Sequence, residues 1–289
     1  MNNLNIKIDS LKYLGKVIII DSNKNKYVYK NKNNYLTYEY LLGRDFNNIP
    51  KYFNNKDSNY DLIEYIEDLN IPKEQRLKDL INVISLLHKK TIYSKEIELD
   101  ELKKIYEDII NNVDSLMAYY SDLNNYIDSI VFMSPLEYLL VSNIDLFYYL
   151  LNFTKDKILI WYNSIKDNKV LRYSLNHNNI DINHLIENDN LYLISWNKSK
   201  IDLLTNDLVQ LYKKYYYDID LNELINEYQK NNKLTSDEYL FLLIILSIPE
   251  RIELSSNTYL DTNKLSNYIE YLKKIVIVTQ KYDRMMHKS

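Results

Sequence analysis

The chain has 289 residues, of which 46% are hydrophobic, and a formal net charge of −4. This size and apolar content can bury a sizeable core, as one large domain or two lobes. The absence of cysteine excludes disulfides, thiol catalysis and thiolate metal sites. The negative charge argues against a broad nucleic-acid surface, so we expect no nucleic-acid partner. Because Met1 to Ser10 lacks a signal-peptide pattern and no long apolar run occurs, we expect a soluble cytoplasmic protein without a transmembrane segment.

Two amino acids stand out in the composition: there are 30 tyrosines and only two glycines. Tyrosine, like the abundant asparagine, lysine and isoleucine, has codons rich in A and T, so an AT-rich genome explains it more simply than a base-stacking surface does. The glycines are Gly15 and Gly43. Phosphate-binding loops of the Walker or Rossmann type need several glycines at fixed spacing. Two isolated glycines can build neither loop.

Short β-branched or alternating segments dominate the first 67 residues and predict strands. One helix is predicted among them, over Tyr35–Leu42. The predicted strands are Leu4–Ile8, Lys16–Ile20, Lys26–Lys30, Ile49–Phe53 and Tyr60–Ile66. We therefore expect residues 1–67 to form an N-lobe with a five-stranded sheet and one helix.

From Pro72 onward, apolar residues recur every three or four positions, which predicts helices with one buried face. Two strand-like pieces, Val170–Tyr173 and Leu191–Ser195, interrupt this pattern. The segment Ser236–Ile248 is apolar all round and is expected to be central, since a surface helix would show a polar stripe. Other helices are predicted over Asp207–Tyr217, Leu221–Tyr228 and Asn263–Lys281. Residues 68–289 are thus expected to form a helical C-lobe with a hairpin at about residues 170–196, which gives an α+β fold class.

The segment His177–Ile186 has the outline of a kinase catalytic loop, His-x-Asp-Leu-x-x-x-Asn. In such a loop the Asp accepts a proton from the attacking hydroxyl and the Asn holds a magnesium ion. His177 keeps its place. Asn179 occupies the position of the base, and His184 occupies that of the metal ligand.

Further fragments occur in the same order as in a known group of proteins. They are Val28-Tyr29-Lys30, Glu39, Leu62-Ile63-Glu64-Tyr65-Ile66, Leu86-Leu87-His88, Leu193-Ile194-Ser195-Trp196 and Asn206-Asp207-Leu208. With the loop, they make nearly the whole chain resemble the kinase-like fold of aminoglycoside phosphotransferases, choline kinases and bacterial spore-coat proteins of the CotS type. The resemblance implies a two-lobed protein kinase-like fold, with a small β-rich N-lobe and a large, mainly helical C-lobe. It also allows an association with the spore coat or cell envelope.

The resemblance also assigns roles to residues. Lys30 would hold the nucleotide phosphates and pair with Glu39. The strand end at Glu64, Tyr65 and Ile66 would meet adenine. Ser195 stands where the family has a second metal-binding Asp, and Asp202 is the nearby carboxylate that a register shift could bring into that role. Active members of the family use ATP and Mg²⁺.

The departures from the family pattern predict a degenerate site. The amide of Asn179 cannot accept a proton at neutral pH, and general-base catalysis is worth roughly 10²- to 10⁴-fold. Serine and imidazole at positions 195 and 184 are poor ligands for magnesium, which prefers hard oxygen donors. The first hairpin, Asp9–Gly15, has a single glycine to admit a nucleotide. We therefore expect no cofactor, with Lys30 and Glu39 remaining as a structural ion pair.

Several alternatives stay open at this point. His177, Asp181 and His184 could together bind zinc, although both histidines are more simply explained as anchors of the loop. Asp207 is expected to cap its helix and brace the loop. The acidic residues of Asp61–Asp68 form either a solvated rim or a site for a cationic substrate.

Two functions fit this sequence. The first is a pseudokinase that binds a protein partner or a small ligand in the interlobe cleft. The second is an atypical ATP-dependent small-molecule phosphotransferase that uses Asp181 or Asp202. The sequence identifies neither the partner nor the oligomeric state.

Overall fold

The structure is a computed structural model that describes residues 8–15, 17–22, 25–31, 34–54, 56–253 and 258–286. Its contacts group into two compact units, each built from separate stretches of chain. Unit 1 comprises Met1–Tyr93, Tyr173–Asp207 and Asn222–Lys233; unit 2 comprises Ser94–Arg172, Leu208–Leu221 and Leu234–Ser289. Unit 1 therefore contains both the N-terminal sheet and the loop that begins at His177. The domain boundary expected after residue 67 stays a prediction.

The elements alternate between short strands and longer helices. In chain order they are β1 (Ser10–Leu14), β2 (Val17–Ser22), β3 (Asn25–Lys30), α1 (Tyr35–Gly43), β4 (Asp61–Glu64), α2 (Lys73–Thr91), β5 (Tyr93–Glu96), α3 (Leu99–Asp128), α4 (Pro135–Val141), α5 (Ile144–Asn168), β6 (Val170–Asn176), β7 (Leu185–Glu187), β8 (Leu191–Leu193), β9 (Lys200–Leu203), α6 (Thr205–Tyr215), α7 (Leu221–Gln229), α8 (Ser236–Ser247) and α9 (Thr258–Met286). Short 3₁₀ turns lie at Ile182–His184 and Trp196–Lys198.

The N-terminal sheet is antiparallel, with the strand order β1-β2-β3-β4. Leu14 pairs with Val17 across the first turn, where Gly15 has a φ of +59°. A residue without a Cβ adopts this left-handed conformation at little steric cost. The turn is therefore tight. The segment Asp9–Gly15, predicted as the first hairpin, contains the strand β1 and this turn.

The structure confirms some of the strands predicted for this region and not others. Those over Lys16–Ile20, Lys26–Lys30 and Tyr60–Ile66 are confirmed with shifted ends, as is the helix over Tyr35–Leu42. Most of Leu4–Ile8 lies outside the described residues. The strand predicted over Ile49–Phe53 is reduced to an isolated bridge between Tyr52 and Ile63. Pro50 explains this, because it has no N–H to donate to a ladder.

The other two sheets are small. Strands β5, β6 and β9 form a three-stranded sheet in which β6 is central, and β7 and β8 form a two-stranded ribbon. The two predicted strands of this region correspond to β6 and β8. The ribbon and β6 flank the loop of residues 177–184, so they fix both of its ends.

Helical packing in unit 2 centres on α8. Its side chains from Leu240 to Ile244 are buried, and the ring of Phe241 packs on Trp161 of α5 with 4.6 Å between centroids. This confirms the central position predicted from its all-round apolar sequence. The helix α5 runs unbroken through Ile144–Asn168.

No helix among the described residues has both the length and the apolar character needed to cross a membrane.

Candidate functional site

The loop of residues 177–184 is held by a buried carboxylate. Asp207, in the first turn of α6, accepts the backbone N–H of His177 at 2.7 Å on Oδ2 and that of Asn178 at 2.8 Å on Oδ1. Asn178 has a φ of +54°, so the chain turns sharply at this point. Two charge-assisted bonds from one buried group fix such a turn. The prediction that Asp207 braces the loop is confirmed.

A chain of buried polar groups supports Asp207 from behind. The Nε2 of His88 lies 3.2 Å from Asp207 Oδ2, and its Nδ1 lies 2.8 Å from the hydroxyl of Tyr228. Asn232 donates to that hydroxyl at 2.8 Å. The Tyr228 hydroxyl donates to His88 Nδ1, and His88 Nε2–H donates to Asp207, so every bond in this chain has a donor and an acceptor. Burial alone would raise the pKa of Asp207, but the hydrogen bond from His88 and the backbone N–H of Asn178 hold it below its ordinary value.

His177 anchors the loop to the segment after β8. Its side chain is fully buried, and its Nε2 donates to the carbonyl of Ile194 at 2.8 Å. The ring meets Trp196 edge-to-face, with 4.8 Å between centroids. Burial lowers the pKa of His177, although the charge of Asp207 partly offsets this. The imidazole is therefore neutral at physiological pH and serves as an anchor, as the simpler of the two sequence-based explanations has it.

The structure brings together the three residues at the altered base and metal positions. The amide of Asn179 donates to the carbonyl of Ser195 at 3.3 Å, and His184 Nδ1 lies 2.7 Å from the carbonyl of Asn179. Ser195 has a φ of +70°, a strained value for a residue with a side chain. Each of these contacts joins a side chain to a backbone carbonyl across the loop, so the polar side chains hold the loop together.

The two alternative carboxylates have structural partners of their own. Asp181 accepts the N–H of Asn183 at 2.8 Å and thereby caps the 3₁₀ turn. Asp202 lies on β9, where one of its oxygens is 2.5 Å from Lys200 Nζ and the other accepts the N–H of Leu203. A base needs a lone pair directed at a substrate hydroxyl. In this arrangement the lone pairs of Asp202 are directed at its own strand.

The residues at the metal positions do not fit magnesium. His184 presents a nitrogen that already bonds to a carbonyl, and Ser195 contributes its backbone oxygen to Asn179. Among the described residues, no three His, Asp or Glu side chains converge in a way that could hold a metal ion. His177, Asp181 and His184 all lie in the described part of the chain and do not converge in a way that could hold a metal ion, so the zinc alternative has no geometric support.

Lys30 has a different partner from the expected one. It ends β3 directly opposite Asp61 of β4. Burial lowers the pKa of Lys30, and the charge of Asp61 partly opposes that effect. Glu39 is exposed on α1 and accepts a hydrogen bond from Tyr35. Lys30 and Glu39 form no ion pair, although both are described, so that prediction is wrong.

Asp61 is nearly inaccessible, at 2% exposure, and has a built set of donors. It accepts the backbone N–H of Asn34 at 2.8 Å and the hydroxyl of Tyr52 at 2.9 Å, and the Asn34 side chain also donates to it. It is therefore part of the packed N-terminal structure and not of a solvated rim. The carboxylate neutralises part of the charge that Lys30 would offer to a phosphate.

The strand end predicted to meet adenine already has two of its backbone N–H groups hydrogen-bonded within the protein. The N–H groups of Glu64 and Tyr65 donate to the carbonyls of Lys51 and Lys26. A cavity of about 470 Å³ adjoins this strand end. It is lined by Asn25, Lys26, Tyr27, Lys51, Phe53, Glu64, Tyr65 and Glu67. Ile66 is half-buried and does not line the cavity.

A further cluster ties the segment after β4 to β7. Arg76 grips Asp68 with two bonds, of 2.7 and 3.1 Å, and Asp68 also accepts the N–H of Glu187 at 2.9 Å. Sequence reasoning missed Arg76, as it missed the donors around Asp61. A charged residue at the start of the apolar strand Asp61-Leu62-Ile63 was an available signal for a buried carboxylate. No local signal exists for the Arg76 cluster, because Glu187 lies more than a hundred residues along the chain.

Comparison with solved structures shows the fold. An aminoglycoside phosphotransferase from Alicyclobacillus acidocaldarius subsp. acidocaldarius matches with a TM-score of 0.68 and 10% identity, over 95% of this chain and 92% of that chain. The AMP-bound complex of a spectinomycin phosphotransferase matches with a TM-score of 0.50 and 13% identity, over 92% and 93%. The choline kinase LicA from Streptococcus pneumoniae matches with a TM-score of 0.47 and 14% identity, over 97% and 96%.

Sequence comparison adds nothing to these matches. No protein-family model matches the chain. No curated protein matches it significantly. The first two of these structural neighbours, with TM-scores of 0.68 and 0.50, carry the conclusion about the fold. The chain therefore has a protein kinase-like fold, with a small antiparallel N-terminal sheet and a large helical C-terminal part, as its sequence predicted.

Proposed function

We propose that this protein is a pseudokinase, which keeps the kinase-like scaffold as a binding or scaffolding device and has lost phosphoryl transfer. The observation that carries the proposal is the state of Asn179. It stands where a base is needed, and its amide donates to the Ser195 carbonyl instead of accepting a proton. Phosphoryl transfer depends on positioning and on neutralising phosphate charge through metal ions. The residues at positions 184 and 195 fit no such metal.

Lys30 supports the same proposal. A phosphate clamp needs an amine whose charge is available to the ligand. The amine of Lys30 is partly desolvated, and the buried carboxylate of Asp61, opposite Lys30 in the strand register, acts on its charge. The spectinomycin phosphotransferase neighbours were solved with AMP or with ADP and spectinomycin. By analogy this chain would use ATP and Mg²⁺ if it were active, but its own residues favour a protein without a cofactor.

The alternative is an atypical phosphotransferase with Asp181 or Asp202 as its base. Asp181 is the better candidate, because it lies in the loop itself, two residues beyond Asn179. One of its oxygens caps the 3₁₀ turn, so its use as a base would require the turn to open. No observation favours this activity over the proposed one.

A melting titration with ATP and MgCl₂ tests the proposal. A ligand that binds only the folded state raises the melting temperature with its concentration. We expect no rise for the wild-type protein. We expect a rise for the triple variant Asn179→Asp, His184→Asn, Ser195→Asp, which restores the oxygen ligands of an active loop. The single variant Asn179→Asp is the matched control, because it adds a carboxylate without the metal ligands.

A turnover assay with radiolabelled ATP completes the test, with aminoglycosides and choline as acceptors. Transfer by the wild-type protein that Asp181→Ala or Asp202→Ala abolishes would establish the alternative and refute the pseudokinase proposal. A concentration-dependent melting shift of the wild-type protein with ATP would refute the nucleotide-free form of the proposal. The expected localisation in the cytoplasm, or at a spore coat, stays a prediction.

A further inference from the structure

An exposed apolar loop projects between α3 and α4 in unit 2. Val131 and Phe132 are 85% and 90% exposed, and Met133 is exposed beside them. Tyr126 and Tyr138 flank the loop and are also exposed. Single exposed apolar residues are ordinary, but five neighbours within thirteen positions form a patch of the kind found at interaction sites. We call these five residues the tip.

The tip is held in place by its own chain. On one side, the Ser129 hydroxyl donates to the carbonyl of Tyr126 at 2.6 Å. On the other side, Ser134 and Glu137 form a capping box at the start of α4, with bonds of 2.6 and 3.3 Å. Ile127 and Leu136 are buried beneath the tip. Because both ends are fixed, presenting Phe132 to a partner costs little conformational entropy.

The charge around the tip has one sign. Residues 105–154 contain seven carboxylates and no lysine, arginine or histidine, although the whole chain has a net charge of only −4. Asp122, Asp128 and Asp145 are exposed, and none of them forms a salt bridge with another described residue. By contrast, Asp114, which lies nearer the start of α3, forms a salt bridge of 2.8 Å with Lys155. Asp122, Asp128 and Asp145 are therefore available to an external cation, and Asp128 also accepts a hydrogen bond from Asn124 at 3.0 Å.

Helix α9 packs on α4, and three of its lysines have partners among the described residues. Lys264 lies 3.8 Å from Asp261, Lys273 lies 2.9 Å from Glu270, and Lys274 donates to the carbonyl of Tyr216. An acidic surface repels anionic lipid headgroups, so the charge disfavours a membrane as the occupant.

We propose that the tip is a docking site for a protein surface that combines an apolar pocket with lysine or arginine side chains at its rim. Phe132 and Val131 would enter the pocket, and Asp122 and Asp128 would face the basic rim. Aromatic anchors surrounded by complementary charge are typical of the residues that dominate binding energy and steer association. The proposal does not depend on the state of the nucleotide site, which lies in unit 1.

Fluorescence anisotropy with a labelled peptide tests the proposal. The probe is an amphipathic helical peptide of leucine and lysine, and its counterpart is the same peptide with glutamate in place of lysine. We expect the full-length protein to bind the lysine peptide and not the glutamate peptide. Because Phe132→Ser removes the anchor, we expect it to weaken binding by about tenfold or more. We expect Asp122→Asn/Asp128→Asn to weaken binding and to reduce its salt dependence.

Matched controls separate the tip from general stickiness. Leu36→Ser changes an apolar side chain that is 74% exposed on α1, and Glu96→Gln/Glu98→Gln removes two exposed carboxylates outside residues 105–154. Both should leave binding unchanged. Circular dichroism should show that Phe132→Ser is folded, since the ring makes no core contact that the change would remove.

Three results would overturn the proposal. The first is equal binding of the lysine peptide by wild-type protein and Phe132→Ser. The second is self-association in sedimentation that Phe132→Ser abolishes, which would make the tip an interface between copies of this chain. The third is Phe132-dependent binding to vesicles of phosphatidylcholine and phosphatidylserine, which would make it a membrane anchor.

Discussion

At the scale of single residues, the candidate site shows which parts of a kinase loop serve the fold and which serve chemistry. His177, Asp207 and His88 keep buried contacts that fix the backbone. Asn179 and Ser195 stand where the resemblance places a base and a metal ligand, and the side chain of Asn179 donates to the Ser195 carbonyl. Removing a hydrogen bond that fixes the fold leaves a buried polar group unpaired, which costs stability. Replacing a group that acts only in catalysis leaves no buried group unpaired.

Asp207 should be the most costly carboxylate of the loop to replace. Asp207→Asn exchanges an acceptor-only group for one that also donates, so it leaves a buried backbone N–H facing an amide N–H. We expect the free energy of unfolding to fall by about 3 kcal/mol. Urea denaturation at neutral pH measures this free energy of unfolding. Asp202→Asn is the control, since its pair with Lys200 is partly exposed and contributes about 1 kcal/mol or less. Equal losses for the two variants would contradict a bracing role for Asp207.

At the scale of elements, two helix starts show how tertiary contacts change the stability that a capping box contributes. The helices α4 and α8 both begin with a capping box, Ser134 with Glu137 and Thr235 with Glu238. The sequences match in type, so local reasoning would rank them equally. In the structure Glu238 also binds Arg172 at the start of β6, with a bond of 2.6 Å to Nε. The second box therefore joins two elements.

Removing the two glutamates should separate the local from the tertiary contribution. Glu137→Ala loses a capping box alone, so we expect the free energy of unfolding to fall by about 1 kcal/mol. Glu238→Ala loses a capping box and a charged fork to Arg172, so we expect a fall of about 2 to 3 kcal/mol. Urea denaturation gives both changes in the free energy of unfolding from the shift of the midpoint, provided that the m-value is unchanged. The interpretation fails if Glu238→Ala costs no more than Glu137→Ala.

At the scale of the whole molecule, buried titratable groups link stability to pH. The pKa of His177 is lowered from 6.5 by burial, so the folded protein holds the imidazole neutral while the unfolded chain protonates it below that pH. The unfolded state then binds more protons, and stability falls as pH drops through 6.5. Burial raises the pKa of Glu187, which acts in the opposite direction.

Comparing two proteins isolates the contribution of His177. We expect the free energy of unfolding of the wild-type protein to fall between pH 7 and pH 5, and we expect a smaller fall for His177→Asn, although that variant is less stable at every pH. Urea unfolding at a series of pH values gives both curves. Glu187 is common to the two proteins, so it does not affect the difference. Parallel curves would show that His177 has the same pKa in the folded and the unfolded protein, which contradicts the prediction.

The sequence by itself determined the order of elements, the buried faces of the helices and the register of the loop, because each of these is a local pattern. The all-round apolar sequence of Ser236–Ile248 placed Leu240–Ile244 in a core, and the spacing from His177 to Asp207 predicts that Asn179 stands at the base position. The residue types at positions 179, 184 and 195 also predicted a poor magnesium site.

Only the tertiary structure decided which charges meet. It placed Lys30 opposite Asp61 on the neighbouring strand, joined Arg76 to Asp68 and Glu187, and set His88 behind Asp207. These residues lie up to 119 positions apart, and charged side chains carry no periodic signal that identifies a partner. Coulombic and hydrogen-bond energies depend on distance and burial, which the chain acquires only when it folds.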